Sequence, residues 1–319
     1  MKLITEEVSD AKYIVEEVNG KKQYKIKFAC SWADSKSITD RVMLNWGKPP
    51  ENITLVNNDD FDYLISFNDS KERLSVAPEK DVVFTMEPSW SPNLLEDYDN
   101  CKAVFTSSDK YTGKNVVKGF PLMFHHDSGG FNNISSEKTP TDYIEDQSFK
   151  KDKKISFIIA NHGTTSGLKH NENSLYKLRE NILVKILKSD LDIHIFGQGW
   201  NIEDSRYKGP VRLKSEALKD YKYSIAIENS RENFYLSEKL FDCYLNNCVP
   251  IYYGCNRVSD FFPDNSFINF DPYDSNLIST LKNISSMPVH YYQTFILQAK
   301  QDYFVKYNIF NYINSFLDE

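Results

Sequence analysis

The sequence predicts an α/β chain of two halves, each a parallel β-sheet with crossover helices. Three observations predict it. Short apolar runs recur at residues 24–29, 63–67, 81–85, 103–106, 155–160 and 192–196, mostly followed by a polar loop or a helical stretch. That βα rhythm is interrupted at residues 127–154, where Ser128-Gly129-Gly130, several Asn and Ser, Pro140 and the lysines at 150, 151, 153 and 154 read as the region between domains. Residues 223–254 then read as strand, loop, helix and strand, a unit whose two strands should be parallel with a right-handed crossover. A chain of 319 residues divides naturally there, into 1–150 and 151–319.

Residues 12–18 and 22–29 flank Asn19-Gly20 and read as a hairpin with a type I′ turn; residues 24–29 are also the first core strand. A helix is expected over residues 35–46, ended by Pro49-Pro50, with short strands at 52–56 and 63–67. The intervening Asn57-Asn58-Asp59-Asp60 is a solvated turn, since the spacing of its acidic pair does not suit a metal. The strand at 81–85 runs into Met86-Glu87-Pro88-Ser89-Trp90-Ser91-Pro92, which sets Glu87 at a carboxyl end before a stiff loop. Taken alone, Glu87 could be an exposed loop glutamate. Residues 103–106 and 116–121 continue the rhythm.

The second half opens with a strand at 155–160 and the loop Asn161-His162-Gly163, in which His162 is open to a ligand or simply polar surface. The next helix, residues 173–188, carries Leu175, Leu178, Ile182 and Ile186 on one stripe with Arg179 at its edge. An arginine so placed either lays its stem over the core or points a guanidinium at an anion. A short helix over 214–220 leads to the strand at 223–227. Ser237 can cap a helix whose first turn holds Glu238 and Lys239 and whose apolar face is Leu240, Phe241, Tyr244 and Leu245. Residues 290–317 read as one or two amphipathic helices packing back across the domains.

In parallel sheets ligands sit beyond the carboxyl ends of the strands, here at Glu228-Asn229-Ser230-Arg231 and the helix start after it. Free amides at a helix start attract anions, and Lys239 adds a full charge. Glu238 suits hydroxyls rather than phosphate, and Asn229 and Tyr235 offer hydrogen bonds and an aromatic face. Singly these could be a helix cap, an exposed ion pair and a core tyrosine; together in one loop they describe a site for a nucleotide sugar.

The net charge of −7 gives no support to broad nucleic-acid binding and leaves a local patch open. There is no apolar run long enough to span a membrane and no signal-peptide core. The five cysteines, an odd count without framework spacing, read as reduced and the protein as cytoplasmic. No CxxC or HExxH spacing indicates a metal site.

The run Glu228-Asn229-Ser230, then Tyr235-x-Ser237-Glu238-Lys239, then Val249-Pro250-Ile251-Tyr252-Tyr253-Gly254 resembles the signature of the α-1,3-fucosyltransferases of glycosyltransferase family 10. FTMEPSWSPN, residues 84–93, is similar to the segment that carries that family's catalytic base, with one extra residue between the glutamate and SPN. Arg179-Glu-Asn-Ile-Leu resembles its arginine-bearing helix, though the loop before it is longer here. The resemblance covers about residues 82–92 and 156–270. It implies the GT-B architecture, two Rossmann-like domains with the acceptor on the N-terminal side and the donor on the C-terminal side.

It also implies an inverting GDP-fucose-dependent α-1,3-fucosyltransferase acting on a GlcNAc-containing glycan, with no metal required. Glu87 would be the general base, and Arg179, Asn229, Ser230, Tyr235, Glu238 and Lys239 would bind the donor. Alternatives are another nucleotide sugar, a modified DNA base or lipid-linked glycan as acceptor, or a non-catalytic sugar-nucleotide or glycan-binding protein. The first 23 residues resemble the start of some T4-type phage head-assembly proteins, which would make the gene viral and the setting an infected bacterial cell.

Overall fold

The computed structural model describes residues 17–18, 21–91, 98, 100–118, 124–125, 127, 138–161 and 172–317. Two parallel sheets dominate it. The first half holds β1 (Glu17–Val18), β2 (Lys21–Lys22), β3 (Tyr24–Cys30), α1 (Ser35–Trp46), β4 (Ile53–Val56), β5 (Tyr63–Phe67), β6 (Asp81–Phe84), β7 (Ala103–Thr106) and β8 (Val116–Lys118). Its six-stranded sheet runs β4-β3-β5-β6-β7-β8, every neighbouring pair parallel. The near-continuous apolar runs follow from burial on both faces. Phe28, Phe67, Phe84 and Phe105 form an aromatic row across the strands, stacking in pairs at 5.7 Å (Phe28–Phe67) and 4.5 Å (Phe84–Phe105). α1 starts on the Asp34 side chain, which accepts from the Ser37 amide at 2.8 Å, and ends at Gly47 with φ of 86°.

α2 (Pro140–Glu145) lies between the halves. The second half holds β9 (Lys153–Ile158), α3 (Tyr176–Leu187), β10 (Ile193–Phe196), β11 (Tyr221–Ile227), α4 (Glu238–Leu245), β12 (Val249–Tyr253), β13 (Ile268–Asn269), α5 (Leu277–Ser285), α6 (Gln293–Val305) and α7 (Ile309–Leu317). Its sheet runs β10-β9-β11-β12-β13, again parallel throughout. In both sheets the first strand lies between the second and the third, so each has a topological switch point beside its first strand. α7 leaves the second half and buries Ile309, Phe310, Ile313, Phe316 and Leu317 in the core of the first. Tyr24 donates to the Leu317 carbonyl at 2.6 Å, and the Asn308 amide to that of Trp46 at 3.1 Å.

Three expectations need correction. The hairpin shrinks to a two-residue ladder, Glu17 opposite Lys22 and Val18 opposite Lys21, because residues 24–30 pair instead as β3 inside the large sheet. The stretch between the halves contains a helix, α2, started by a capping box in which Thr139 and Asp142 satisfy each other's amides with Pro140 at the first position. Residues 214–217 form only a 3₁₀ turn. Asp59 and Asp60 sit on an exposed turn, paired with Lys27 at 3.0 Å and Lys25 at 2.8 Å. All five cysteines are buried and none is in a disulfide. His162 lies outside the described residues.

Candidate active site

The site forms where β6 and β11 end and α4 begins. β11 and β12 pair in register from Tyr223 opposite Val249 to Ile227 opposite Tyr253, which puts Glu228 at the carboxyl edge of the second sheet. Glu228 is fully buried. Its carboxylate accepts from the Ser237 amide at 2.9 Å, from the Ser237 hydroxyl, and from Tyr252 Oη at 3.2 Å. A Cβ at Gly254 would stand 2.2 Å from Glu228 Cγ, so only glycine fits there. Burial raises the Glu228 pKa, and Lys239, its Nζ 3.8 Å from Oε2, pulls it back.

Ser237 is the N-cap of α4, its hydroxyl accepting from the Lys239 amide. Lys239 Nζ also donates to Glu238 Oε1 at 3.1 Å and to Ser237 Oγ at 3.0 Å. One ammonium group thus faces two carboxylates at a helix N-terminus, where the peptide dipoles favour negative charge. A recess bordered by Lys239 and Lys214 opens between α4 and the end of β11.

Arg179 is not at the edge of its helix stripe but within the buried face formed by Leu175, Ile182, Leu183 and Ile186; Leu178, expected there, is only partly buried. Nη1 donates to Asn229 Oδ1 at 2.8 Å, and the guanidinium lies 5.6 Å from the Tyr176 ring. Its Nε is buried with no acceptor. Burial lowers the Arg179 pKa, opposed by Tyr176, Glu238, Glu228 and Tyr235 around it. Tyr235 is buried beside the three glutamates 228, 238 and 87, and its hydroxyl is correspondingly hard to ionise.

From the other half, β6 delivers Glu87. Asn68, held at φ of 55° after β5, accepts from the Met86 amide at 2.6 Å and fixes the chain just before it. Burial raises the Glu87 pKa and the facing Glu238 raises it further, while a hydrogen bond from Ser91 and the charge of Lys239 act the other way. The two halves therefore bring Glu87, Glu238 and Lys239 into one electrostatic neighbourhood. Ser230 lies beneath that surface: its hydroxyl donates to Glu232 at 2.6 Å and accepts from Trp90 Nε1 at 3.0 Å.

Two acidic residues were given no role of their own in the sequence. Glu228 reads there as one polar loop residue among several, and Glu232 falls between Glu228-Asn229-Ser230 and Tyr235 of the motif. The glycine after β12, which makes room for Glu228, is the one local signal of its burial. Among the described residues no group of three or more His, Cys, Asp or Glu is arranged to hold a metal ion. No helix there is long and apolar enough to cross a membrane.

A sequence profile described as "Glycosyltransferase family 10 (fucosyltransferase) C-term" matches residues 148–313, just over half of the chain. An alpha-(1,4)-fucosyltransferase of Arabidopsis thaliana is 38% identical over 77 residues, 24% of this chain and 19% of that protein. The alpha-(1,3)-fucosyltransferase FucT of Helicobacter pylori is 37% identical over 59 residues, 18% of this chain and 12% of that one. The matched segments thus span a fifth or less of these relatives. A solved alpha1,3-fucosyltransferase with GDP superposes at a TM-score of 0.53 and 18% identity, over 97% of this chain and 93% of that one. Anabaena Alr3699/HepE in complex with UDP-glucose does so at 0.51 and 8%, over 92% and 98%. At such identities the likeness is one of fold, and it is the fold of GT-B glycosyltransferases.

Proposed function

We propose, on the premise that this chain belongs to glycosyltransferase family 10, that it transfers fucose from GDP-fucose, with inversion, to the 3-hydroxyl of a GlcNAc-containing glycan. The observation that carries this reading is the convergence of Glu87 from one half with Glu238 and Lys239 from the other. Breaking the bond from sugar C1 to the diphosphate leaves positive charge on the ring and negative charge on the departing phosphate. Lys239 and the Arg179 guanidinium, whose Nε lacks an acceptor, answer the second charge. This gives the leaving group cationic stabilisation without a metal, so turnover should persist in a chelator.

Glu87 takes the proton from the acceptor hydroxyl as that oxygen attacks C1 from the face opposite the diphosphate. The raised Glu87 pKa makes it a stronger base than an exposed glutamate once it is ionised. Attack from that side turns the β-linked donor into an α-glycoside. In this reading Glu238 and Asn229 would meet hydroxyls of the sugar or ribose, while Tyr235 and Ser230, both buried, would support that wall from behind rather than touch the donor.

The test is a panel of nucleotide sugars in a thermal-shift assay, followed by transfer to N-acetyllactosamine. GDP-fucose at a hundred times its dissociation constant should stabilise by about 2.7 kcal/mol. Stabilisation by a different sugar nucleotide, with none from GDP-fucose, would overturn the donor assignment.

A further inference from the structure

We propose that Glu232 is a positioning residue, fastening the turn at residues 88–91 to the second half and thereby setting the place of the Glu87 carboxylate beside Glu238 and Lys239. The inference rests on the reading of Glu87 as the base. Glu232 comes from the loop between β11 and α4, and its carboxylate is turned into the boundary between the halves rather than into solvent; the residue is only 9% exposed. It accepts from the Ser89 amide at 3.1 Å through Oε1 and 3.2 Å through Oε2, and from the Ser89 hydroxyl. From its own side it accepts from the Ser230 hydroxyl at 2.6 Å. Ser230 in turn accepts from Trp90 Nε1 at 3.0 Å, and the Trp90 ring meets Tyr176, at the start of α3, edge-on at 6.2 Å.

Two consecutive residues of the first half, Ser89 and Trp90, are therefore gripped by the second half through one carboxylate, one hydroxyl and one ring. The turn they sit on is closed internally by the Ser91 amide on the Pro88 carbonyl at 2.9 Å, and Ser91 also hydrogen-bonds the Glu87 side chain. A displacement of Ser89 passes to Glu87 through a single proline. Glu87 interacts with the second half through the charges of Glu238 and Lys239 and lies near Tyr176 and Tyr235, so its position relative to them follows the neighbouring grip.

The chemistry requires a carboxylate. Each group that reaches Glu232 across or beneath the boundary is a donor: one amide N–H and two hydroxyls. An ionised carboxylate is acceptor-only and can receive them all. A glutamine in its place keeps the volume but turns an NH₂ toward a donor. Aspartate keeps the charge and falls one methylene short.

The experiment compares wild type with E232Q, E232D and S89A. It measures GDP affinity, kcat against pH with GDP-fucose, and the titration of the Glu87 carboxyl by ¹³C NMR, that signal being assigned through E87Q. E232Q should bind GDP as wild type does and lose about 10²-fold in kcat, the cost of a misplacement on the order of 1 Å. The acid limb of its kcat profile and the Glu87 titration should both move to lower pH, because a loosened turn lets water reach that carboxyl. E232D and S89A should show the same shifts in smaller size, which keeps the idea testable if E232Q folds poorly. A Glu232 that merely glues the halves together would lower the melting temperature and leave both titrations where they are, and that result overturns the proposal. If wild type turns over no GDP-fucose, the donor assignment fails, and the NMR titration alone then decides the role of Glu232.

Discussion

Arg179 Nη1 donates to Asn229 Oδ1 at 2.8 Å while Nε, on the same guanidinium, is buried without an acceptor. The asparagine aims the fork and leaves part of it unused. An unsatisfied buried donor costs about 1–3 kcal/mol, which an incoming phosphate oxygen would recover. Arg179→Met keeps the volume and removes both the charge and the unmet donor. GDP affinity should fall about 10- to 150-fold, the loss of charge-assisted hydrogen bonds worth 1.5–3 kcal/mol. The ligand-free melting temperature should change little, since the substitution removes a desolvated cation and its unmet donor but also the positive charge beside Glu238 and Glu228. Calorimetric titration with GDP and a thermal melt decide it: unchanged affinity would remove Arg179 from the donor site.

Lys239 serves the fold as well as the proposed chemistry. Its Nζ lies 3.8 Å from the fully buried Glu228 and is bonded to Glu238. Lys239→Ala should weaken GDP binding and also destabilise the ligand-free protein by about 1–3 kcal/mol at pH 7, because buried Glu228 loses its counter-charge while keeping its bonds from Ser237 and Tyr252. The sign with pH follows from Glu228, whose folded pKa lies above the usual glutamate value because of burial. Losing Lys239 raises it further. The stability difference between variant and wild type should be small in acid, where Glu228 is protonated in both, and grow as the pH rises. Denaturant melts at several pH values measure this, and a pH-independent difference would show that the Lys239–Glu228 contact is inert.

How much was legible follows from where each residue's partners lie. α1 spans the residues expected of it, and the β11–α4–β12 unit pairs in parallel as its apolar runs require, because its strands, cap and helix face are local signals. α2 was legible too: Thr139-Pro140-Thr141-Asp142 is a capping box with proline at the first position, hidden among linker-like residues. Arg179 was placed on the right helix, but periodicity sets it at an edge while packing sets it in the buried face. Glu232 was beyond reach, since its partner Ser89 lies 143 residues away in the other half. Glu228 depends on Tyr252, 24 residues on, and on the space left at Gly254.

Burial raises the Glu87 pKa, and the negative charge of Glu238 raises it further. Glu238→Gln removes that repulsion. The Glu87 pKa should fall toward the ordinary glutamate value of about 4.3. The base would then be ionised at lower pH, and the acid limb of kcat should shift downward even if the maximum rate suffers from altered donor contacts. For stability the sign is the opposite of the usual carboxylate case. A raised folded pKa contributes stability that is present below the unfolded value and lost as pH rises through the folded one. Glu238→Gln should flatten that decline. An acid limb identical to wild type would mean that the two carboxylates do not sense each other.

Glu87→Gln tests the centre of the proposed mechanism. The side chain keeps its size and can still accept from Ser91, but it has no basic oxygen to take the acceptor's proton. General-base catalysis contributes about 10²–10⁴-fold, so kcat should fall by that order. The residues proposed to form the donor site, Arg179, Asn229, Tyr235, Glu238 and Lys239, all belong to the other half, so GDP and GDP-fucose should bind nearly as they do to wild type. The change also relieves the burial of an ionisable carboxyl, and the variant should gain stability relative to wild type as the pH rises through the raised Glu87 pKa. Chemistry lost with donor affinity kept marks a group that acts in the transition state alone. The measurements are kcat for transfer to the unmodified acceptor, a donor titration, and melts across pH for both proteins. A glutamine variant that turns over near the wild-type rate would show that the proton leaves by another route.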